Sequence, residues 1–283
     1  MNFKTEKAIS QFINAALKED VGPGDYSSLA SIPQKAQNSA QIIMKDKGVI
    51  AGIEIAEKIF KTVDSTLQLD VLKNDGDLVK EGDIILKVSG SAQSILTAER
   101  LVLNCMQRMS GIATYTHFLS SKISKYKAKI LDTRKTTPNF RIMEKWAVLI
   151  GGGQNHRFAL YDMIMLKDNH IDFAGGIENA INATHAYLKA HKLDLPIEVE
   201  TRSLDEVKQV VKVGGINFIM LDNMTPEDML EAVNFIDGRY KVEASGGITE
   251  ASIESVAATG VDFISVGALT HSYKSLDMSL KAV

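Results

Sequence analysis

From residue 128 onward the chain repeats one pattern. Short apolar, β-branched runs recur as KILDT (129–133), MIMLK (163–167), IEVET (197–201), FIMLD (218–222), KVEAS (241–245) and DFISVG (262–267). Segments with helical spacing separate most of them, over 176–192, 203–213, 226–236 and 249–259. Strands alternating with helices imply parallel βα units, and hence an α/β fold. Several runs end in a charged or small polar residue: Asp132, Lys167, Glu200, Asp222, Ser245 and Gly267. In α/β barrels the C-terminal strand ends form the active face. About six strands fall short of a full barrel, so the pattern predicts an incomplete or distorted one. A doubly wound open sheet is the alternative. Polar ends on so many strands favour a ring converging on one site.

The first hundred or so residues have a different rhythm. Residues 4–18 read as an amphipathic helix, and GPGDYSS (22–28) reads as a loop by its Gly and Pro content. Short alternating stretches at 39–45 and 67–73, and two glycine turns around Gly76 and Gly82 leading into IILKVSG, predict a small sheet rich in tight turns. The turns faintly suggest a lipoyl or biotinyl hammerhead. No modifiable Lys sits at a hairpin tip between matched halves, so a packed sheet is the better reading. A helix follows from about residue 94. On it Arg100, Asn104, Gln107 and Gly111 form a polar stripe, while Cys105 lies on the apolar surface as a small hydrophobe.

Charge is concentrated locally. The segment from Asp132 to His170 holds Arg134, Lys135, Arg141, Lys145, Arg157 and Lys167, with His156 and His170, in a chain of formal net charge −3. A cationic cluster in a near-neutral protein is suited to a ligand carrying several negative charges close together. The slightly acidic whole argues against broad nucleic-acid binding. One cysteine rules out an intrachain disulfide and a thiolate zinc site, and suits a reducing cytoplasm. No apolar run is long enough to span a bilayer, and the first twenty residues lack the apolar core of a signal peptide.

Several motifs carry chemistry. The glycines of SGGI (245–248) let backbone amides approach an anion, with a following helix N-terminus adding partial positive charge. Gly267 sits where barrels place a second phosphate contact. Glu200 and Asp222 end neighbouring strands and suit ribose hydroxyls and a Mg²⁺ that takes carboxylate and phosphate oxygens. Arg134 and Arg157 suit carboxylates, which the guanidinium fork pairs bidentately. GGG (151–153) is a backbone device that lets an irregular loop deliver His156 and Arg157. Asp168, His170 and Asp172 read as a helix cap or a core hydrogen bond rather than a metal site. Lys167 at a strand end also suits a Schiff-base aldolase, but its arginine neighbours fit a carboxylate pocket better.

DTRKTTP (132–138), Arg141, EKWAV, GGGQNHR, LYD and LKDNH together resemble the quinolinate phosphoribosyltransferases. The resemblance runs from Glu19-Asp20 and GPGD through TAER, RMSGIAT (108–114), EVE (198–200), LDN (221–223), EASGGI (243–248) and SVGALTHS (265–272), so it covers nearly the whole chain in order. Departures such as Trp146 for Tyr and Ala159 for Gly remove no expected ligand.

The resemblance implies an N-terminal α/β sandwich domain over 1–112, to which 271–283 returns, and an atypical incomplete (β/α) barrel of TIM type over 113–270. It implies a homodimer whose active sites are shared between subunits. The family joins quinolinate to phosphoribosyl pyrophosphate with Mg²⁺, giving nicotinate mononucleotide, pyrophosphate and carbon dioxide for NAD synthesis. By resemblance, Thr133, Arg134, His156, Arg157 and Lys167 hold quinolinate, and Arg100 reaches it from the partner subunit. Lys135, Glu200, Asp222, Ser245, Gly246, Gly247 and Gly267 take the sugar donor. Lys135, Glu200, Asp222 and Lys167 are the catalytic set, with Glu200 and Asp222 also serving Mg²⁺. A paralogue acting on another aromatic acid and a silent phosphate-ligand sensor are the competing readings.

Overall fold

The computed structural model describes residues 4–283. The chain divides into two compact units. One comprises residues 4–117 together with Lys135–Gly152 and Ala268–Val283, and the other comprises Phe118–Arg134 and Gly153–Gly267.

The first unit opens with α1 (Glu6–Asp20), α2 (Tyr26–Ser31), β1 (Gln37–Met44), β2 (Gly48–Val49) and α3 (Ile53–Val63). It continues with β3 (Gln68–Val71), β4 (Leu78–Val79), β5 (Ile84–Ser91) and α4 (Ala92–Lys122). The 4–18 helix is present, shifted to α1, where Thr5 caps the N-terminus and Ile9 and Ile13 are buried. The stretch expected as a loop at 22–28 gives way at Tyr26 to α2, because the Asp25 carboxylate accepts from the Ser28 N–H and nucleates a turn. The Ser28 hydroxyl, which donates to the same carboxylate, and then the Ser28 N–H hold the Asp25 carboxyl below its ordinary range. The sheet has the order β12-β1-β5-β3, where β12 (Met278–Ala282) is the end of the chain. It pairs antiparallel with β1 from Met44↔Met278 to Ala40↔Ala282.

That return corrects the reading of α4. Arg100 and Asn104 are exposed, but the lower half of the supposed polar stripe seats the returning chain. Gln107 Nε2 donates to the Met278 carbonyl at 2.9 Å, and the Leu276 N–H donates to the Gln107 carbonyl at 3.1 Å. Gly111 is buried, and a Cβ there would stand 2.3 Å from the Lys274 carbonyl oxygen, so the close crossing needs glycine. Cys105 is buried as expected, and burial pushes its thiol up to about 12, which makes it inert as a nucleophile.

The second unit holds β6 (Lys129–Leu131); α5 (Arg141–Ile150) then follows in the first unit. The second unit resumes with β7 (Ile164–Leu166), α6 (Asp168–Ala174), α7 (Ile177–His191), β8 (Ile197–Thr201) and α8 (Leu204–Val213). It closes with β9 (Phe218–Asp222), α9 (Pro226–Ile236), β10 (Lys241–Ser245), α10 (Ile253–Ala258) and β11 (Phe263–Ser265); α11 (Ala268–His271) then belongs to the first unit. All six expected strands form, every pairing is parallel, and the order is β6-β11-β10-β9-β8-β7. This order is a sequential ring cut once, between β6 and β7. A doubly wound sheet would reverse order at a switch point, and this one does not. Beside the cut, Gln154 makes an isolated parallel bridge to Leu131. The unit is therefore an incomplete α/β barrel.

Strand alternation sorts the side chains. Val199, Ile219, Leu221, Val242, Ala244 and Ile264 are buried on one face. On the other, Glu198 and Glu200 share β8, Met220 and Asp222 share β9, and Glu243 and Ser245 share β10. The register places Glu200 level with Met220, and Met220 level with Glu243. Polar residues thus line the face that a barrel turns inward.

Candidate active site

The site is assembled at the C-terminal ends of the barrel strands. Asp132, just past β6, is fully buried and acts as a bracket. Its Oδ1 accepts the His156 backbone N–H at 2.9 Å, and its Oδ2 accepts from Asn155 Nδ2. The Asp132 N–H in turn donates to the Gln154 carbonyl at 3.2 Å. This ties the loop after the triple glycine to the strand that carries Thr133 and Arg134. Gly152, at φ 87, supplies the backbone freedom expected of that triplet, while Gly151 has a packing role that was not expected: a Cβ would stand 2.4 Å from the Ala113 carbonyl oxygen.

His156 is nearly enclosed. Its Nδ1 accepts the Arg157 backbone N–H at 2.6 Å, and its Nε2 lies 2.9 Å from Glu198 Oε2. Arg157 donates from Nη1 to the Met163 carbonyl at 3.1 Å. Its half-buried guanidinium loses solvation and feels the charge of Arg134, and both effects lower its pKa. Like charges on two guanidiniums disfavour each other, and a bound anion relieves that repulsion.

Lys167 follows β7 and forms an ion pair with Glu200, Nζ to Oε2 2.7 Å, the Glu side chain being buried and the Lys side chain half-exposed. His170 Nδ1 accepts the Lys167 N–H at 3.0 Å, so this histidine is the helix-capping group expected of it. Asp222 Oδ2 accepts from Asn223 Nδ2 at 2.7 Å, and the Asn223 N–H donates to the Ser245 carbonyl at 2.9 Å. Asn223 sits at φ 55, and Gly246 and Gly247 at φ 84 and 62. Consecutive left-handed residues turn backbone N–H groups into a concave anion cradle. A Cβ on Gly246 would stand 2.3 Å from Asn223 Oδ1. The expected helix N-terminus does not abut this cradle, because α10 starts only at Ile253 and Thr249 and Ser252 form a hydrogen-bonded turn before it. The glycine turn therefore stands without the helix dipole expected beside it. Gly267 follows β11 by two residues.

The second unit contains Thr133, Arg134, His156, Arg157, Lys167, Glu200, Asp222, Ser245, Gly246, Gly247 and Gly267. Lys135 and Arg100 belong to the first unit. There Lys135 lines a cavity of about 520 Å³ with Arg108, Thr136, Thr137, His271 and Tyr273. Arg108 Nε donates to the fully buried Glu144 at 3.0 Å, and Glu144 also accepts the Thr137 N–H at 3.0 Å, which pins the DTRKTTP loop. Arg100 is exposed on α4.

Sequence reasoning missed Asp132 as a bracket, Arg108, Glu144, Asn223, and the buried acids Glu198 and Glu243. The alternation of IEVET and KVEAS carried a signal for the last two, since each lies two residues before an expected site residue on the same strand face.

Comparison with known proteins agrees with this geometry. The family profile described as the quinolinate phosphoribosyl transferase C-terminal domain matches residues 112–281, and that of the N-terminal domain matches residues 25–110. The chain is 49% identical to the carboxylating nicotinate-nucleotide pyrophosphorylase, chloroplastic, of Oryza sativa subsp. japonica, over 95% of this chain and 76% of that protein. It is 40% identical to the probable carboxylating nicotinate-nucleotide pyrophosphorylase of Bacillus subtilis (strain 168), over 96% of this chain and 92% of the relative. The crystal structure of NadC from Streptococcus pyogenes superposes with a TM-score of 0.93 at 39% identity, covering 100% of both chains. With both domain profiles matched in order and the strand ends carrying the expected residues, the chain belongs to the quinolinate phosphoribosyl transferase family.

Proposed function

We propose that this enzyme transfers the phosphoribosyl group of phosphoribosyl pyrophosphate to quinolinate and decarboxylates the product to nicotinate mononucleotide, a precursor of NAD. Family membership supports the reaction, and one observation supports the acceptor: burial and the charge of Arg134 both lower the Arg157 pKa, which an anion would offset. An aromatic ring with two adjacent carboxylates is the natural occupant of such a pair. His156 and Lys167 flank it. The glycine cradle from Ser245 to Gly247, with Gly267, takes the 5′-phosphate. Glu200 and Asp222 receive the ribose hydroxyls.

The quinolinate ring nitrogen attacks the anomeric carbon as the bond to pyrophosphate breaks. Positive charge develops on the sugar, so the two carboxylates at the ends of β8 and β9 stabilise it without forming a covalent bond. Lys135 offers its ammonium to the departing pyrophosphate. Glycosylation leaves the ring nitrogen cationic. That charge stabilises the carbanion left on the adjacent ring carbon when its carboxylate leaves as carbon dioxide, and a proton then adds to that carbon. Lys167, read as a quinolinate ligand, is the candidate aid to this second step.

Glu200 and Asp222 present hard carboxylate oxygens at adjacent strand ends, the donor type Mg²⁺ takes together with phosphate oxygens. When bound there, Mg²⁺ supplies charge neutralisation for the pyrophosphate. Arg100, exposed on α4, fits a role in the site of a second subunit of a homodimer. Among the described residues no helix is long and apolar enough to cross a membrane. The lone buried thiol Cys105 fits a reducing cytoplasm.

The test is incubation with quinolinate, phosphoribosyl pyrophosphate and Mg²⁺, following nicotinate mononucleotide and carbon dioxide. Equimolar formation of both is expected. A folded protein that binds but does not turn over quinolinate would refute the assignment.

A further inference from the structure

The reaction leaves two acids inside the barrel without a role. Glu198 and Glu243 are 0% and 1% exposed. His156 Nε2 lies 2.9 Å from Glu198 Oε2 and 3.4 Å from Glu243 Oε2. Among the described residues, the Oε1 atom of each acid has no hydrogen-bond partner. Burial and the charge of Glu198 both push the Glu243 pKa up. The other groups facing the pair are Ser265, which offers Glu243 a hydrogen bond, and the Arg157 guanidinium, whose charge interacts with Glu198. Above them, His156 Nδ1 is occupied as an acceptor by the Arg157 backbone N–H. The ring proton therefore resides on Nε2 and points at Glu198.

We propose that Glu198 and Glu243 are positioning residues: a buried carboxyl pair receives the Nε2–H of His156, fixes its tautomer, and through Nδ1 fixes the backbone that presents Arg157. The link to activity rests on the proposed function, since His156 and Arg157 are read there as quinolinate ligands. The physical reason for keeping so costly a pair is that a buried charged acceptor holds a ring more rigidly than water or a neutral group. Asp132 fixes the His156 backbone, and the acid pair fixes its ring.

The test uses the full chain labelled with ¹⁵N-histidine, with His156 assigned by loss of its signals in His156→Asn. In the wild type, long-range ¹H–¹⁵N spectra should show an unprotonated Nδ1 and a protonated Nε2. Glu198→Met keeps the volume and removes the acceptor. It should convert His156 to mixed tautomers and raise KM for quinolinate at least tenfold, with KM for phosphoribosyl pyrophosphate within twofold. Glu243→Met removes the second acceptor and should raise KM for quinolinate at least threefold but less than Glu198→Met does; no change in folded Glu243→Met would remove Glu243 from the device. A proton on Nδ1 in the wild type, needing no variant to observe, would overturn the proposal. So would an unchanged tautomer in folded Glu198→Met. The three ligating atoms lie within 4.8 Å of one another. One equivalent of a transition metal in protein purified without chelator would therefore also overturn it, in favour of a metal centre. The expected tautomers in an enzyme that does not turn over quinolinate would leave this device standing and remove the assigned reaction instead.

Discussion

Replacing Gly246 with alanine tests the anion cradle. Gly246 stands at φ 84, where an L side chain costs about 1–2 kcal/mol. Its new Cβ would stand 2.3 Å from Asn223 Oδ1 and 2.5 Å from Cγ, so Asn223 must move or the loop must open. Overlap of this kind in a packed site costs about 1–3 kcal/mol. The unliganded loop relaxes to escape both costs, and binding a phosphate requires it to return. The sum, about 2–5 kcal/mol, then appears as a loss of affinity for phosphoribosyl pyrophosphate of ~30- to ~4000-fold. Quinolinate affinity should stay within twofold, since its expected ligands stand on other strands. Gly247→Ala is the control: it has the backbone strain at φ 62, but its Cβ would stand 3.9 Å from Asn223 Oδ1. It should lose at least threefold less. Asn223→Gly in the Gly246→Ala background should recover part of the loss by removing the obstacle. Titration calorimetry with each substrate separately reads all of these. Donor affinity within threefold of wild type in Gly246→Ala, or equal losses at the two glycines, would refute the reasoning.

Arg157→Ala should weaken quinolinate binding by at least tenfold while leaving donor affinity within threefold, measured by the same titrations; unchanged quinolinate affinity would remove Arg157 from the pocket. Gly111→Ala should destabilise the protein by about 1–3 kcal/mol in chemical denaturation, because the Cβ meets the Lys274 backbone. That reverses the usual sign, since alanine in a helix interior is favoured over glycine by about 1 kcal/mol; an increase in stability would show that the C-terminal crossing is looser than the structure has it.

The barrel was legible because its code is local. Each strand from 129 to 265 is a short β-branched run, and polar residues cluster at the C-terminal ends, so both the elements and the active edge follow from composition and order alone. Arg134, Arg157, Lys167, Glu200 and Asp222 are legible for the same reason: each sits within a motif or just after a strand. The 22–28 stretch was partly misread, since the Asp25 cap outweighs the glycines that precede it. The α4 stripe was misread for a deeper reason. Whether Gln107 and Gly111 meet solvent or backbone depends on a segment about 170 residues later in sequence, and helical periodicity holds no information about that partner.

The sequence by itself determined the strand–helix alternation, the charge concentrated near residues 132–170, and the family. Tertiary structure decided what each charge is paired with. Glu198 and Glu200 are equivalent by alternation, yet one is sealed against His156 while the other forms an ion pair with Lys167 at the rim. Two residues along a strand is about 6–7 Å of depth, and in a barrel that distance separates a sealed, low-dielectric interior from the solvated mouth.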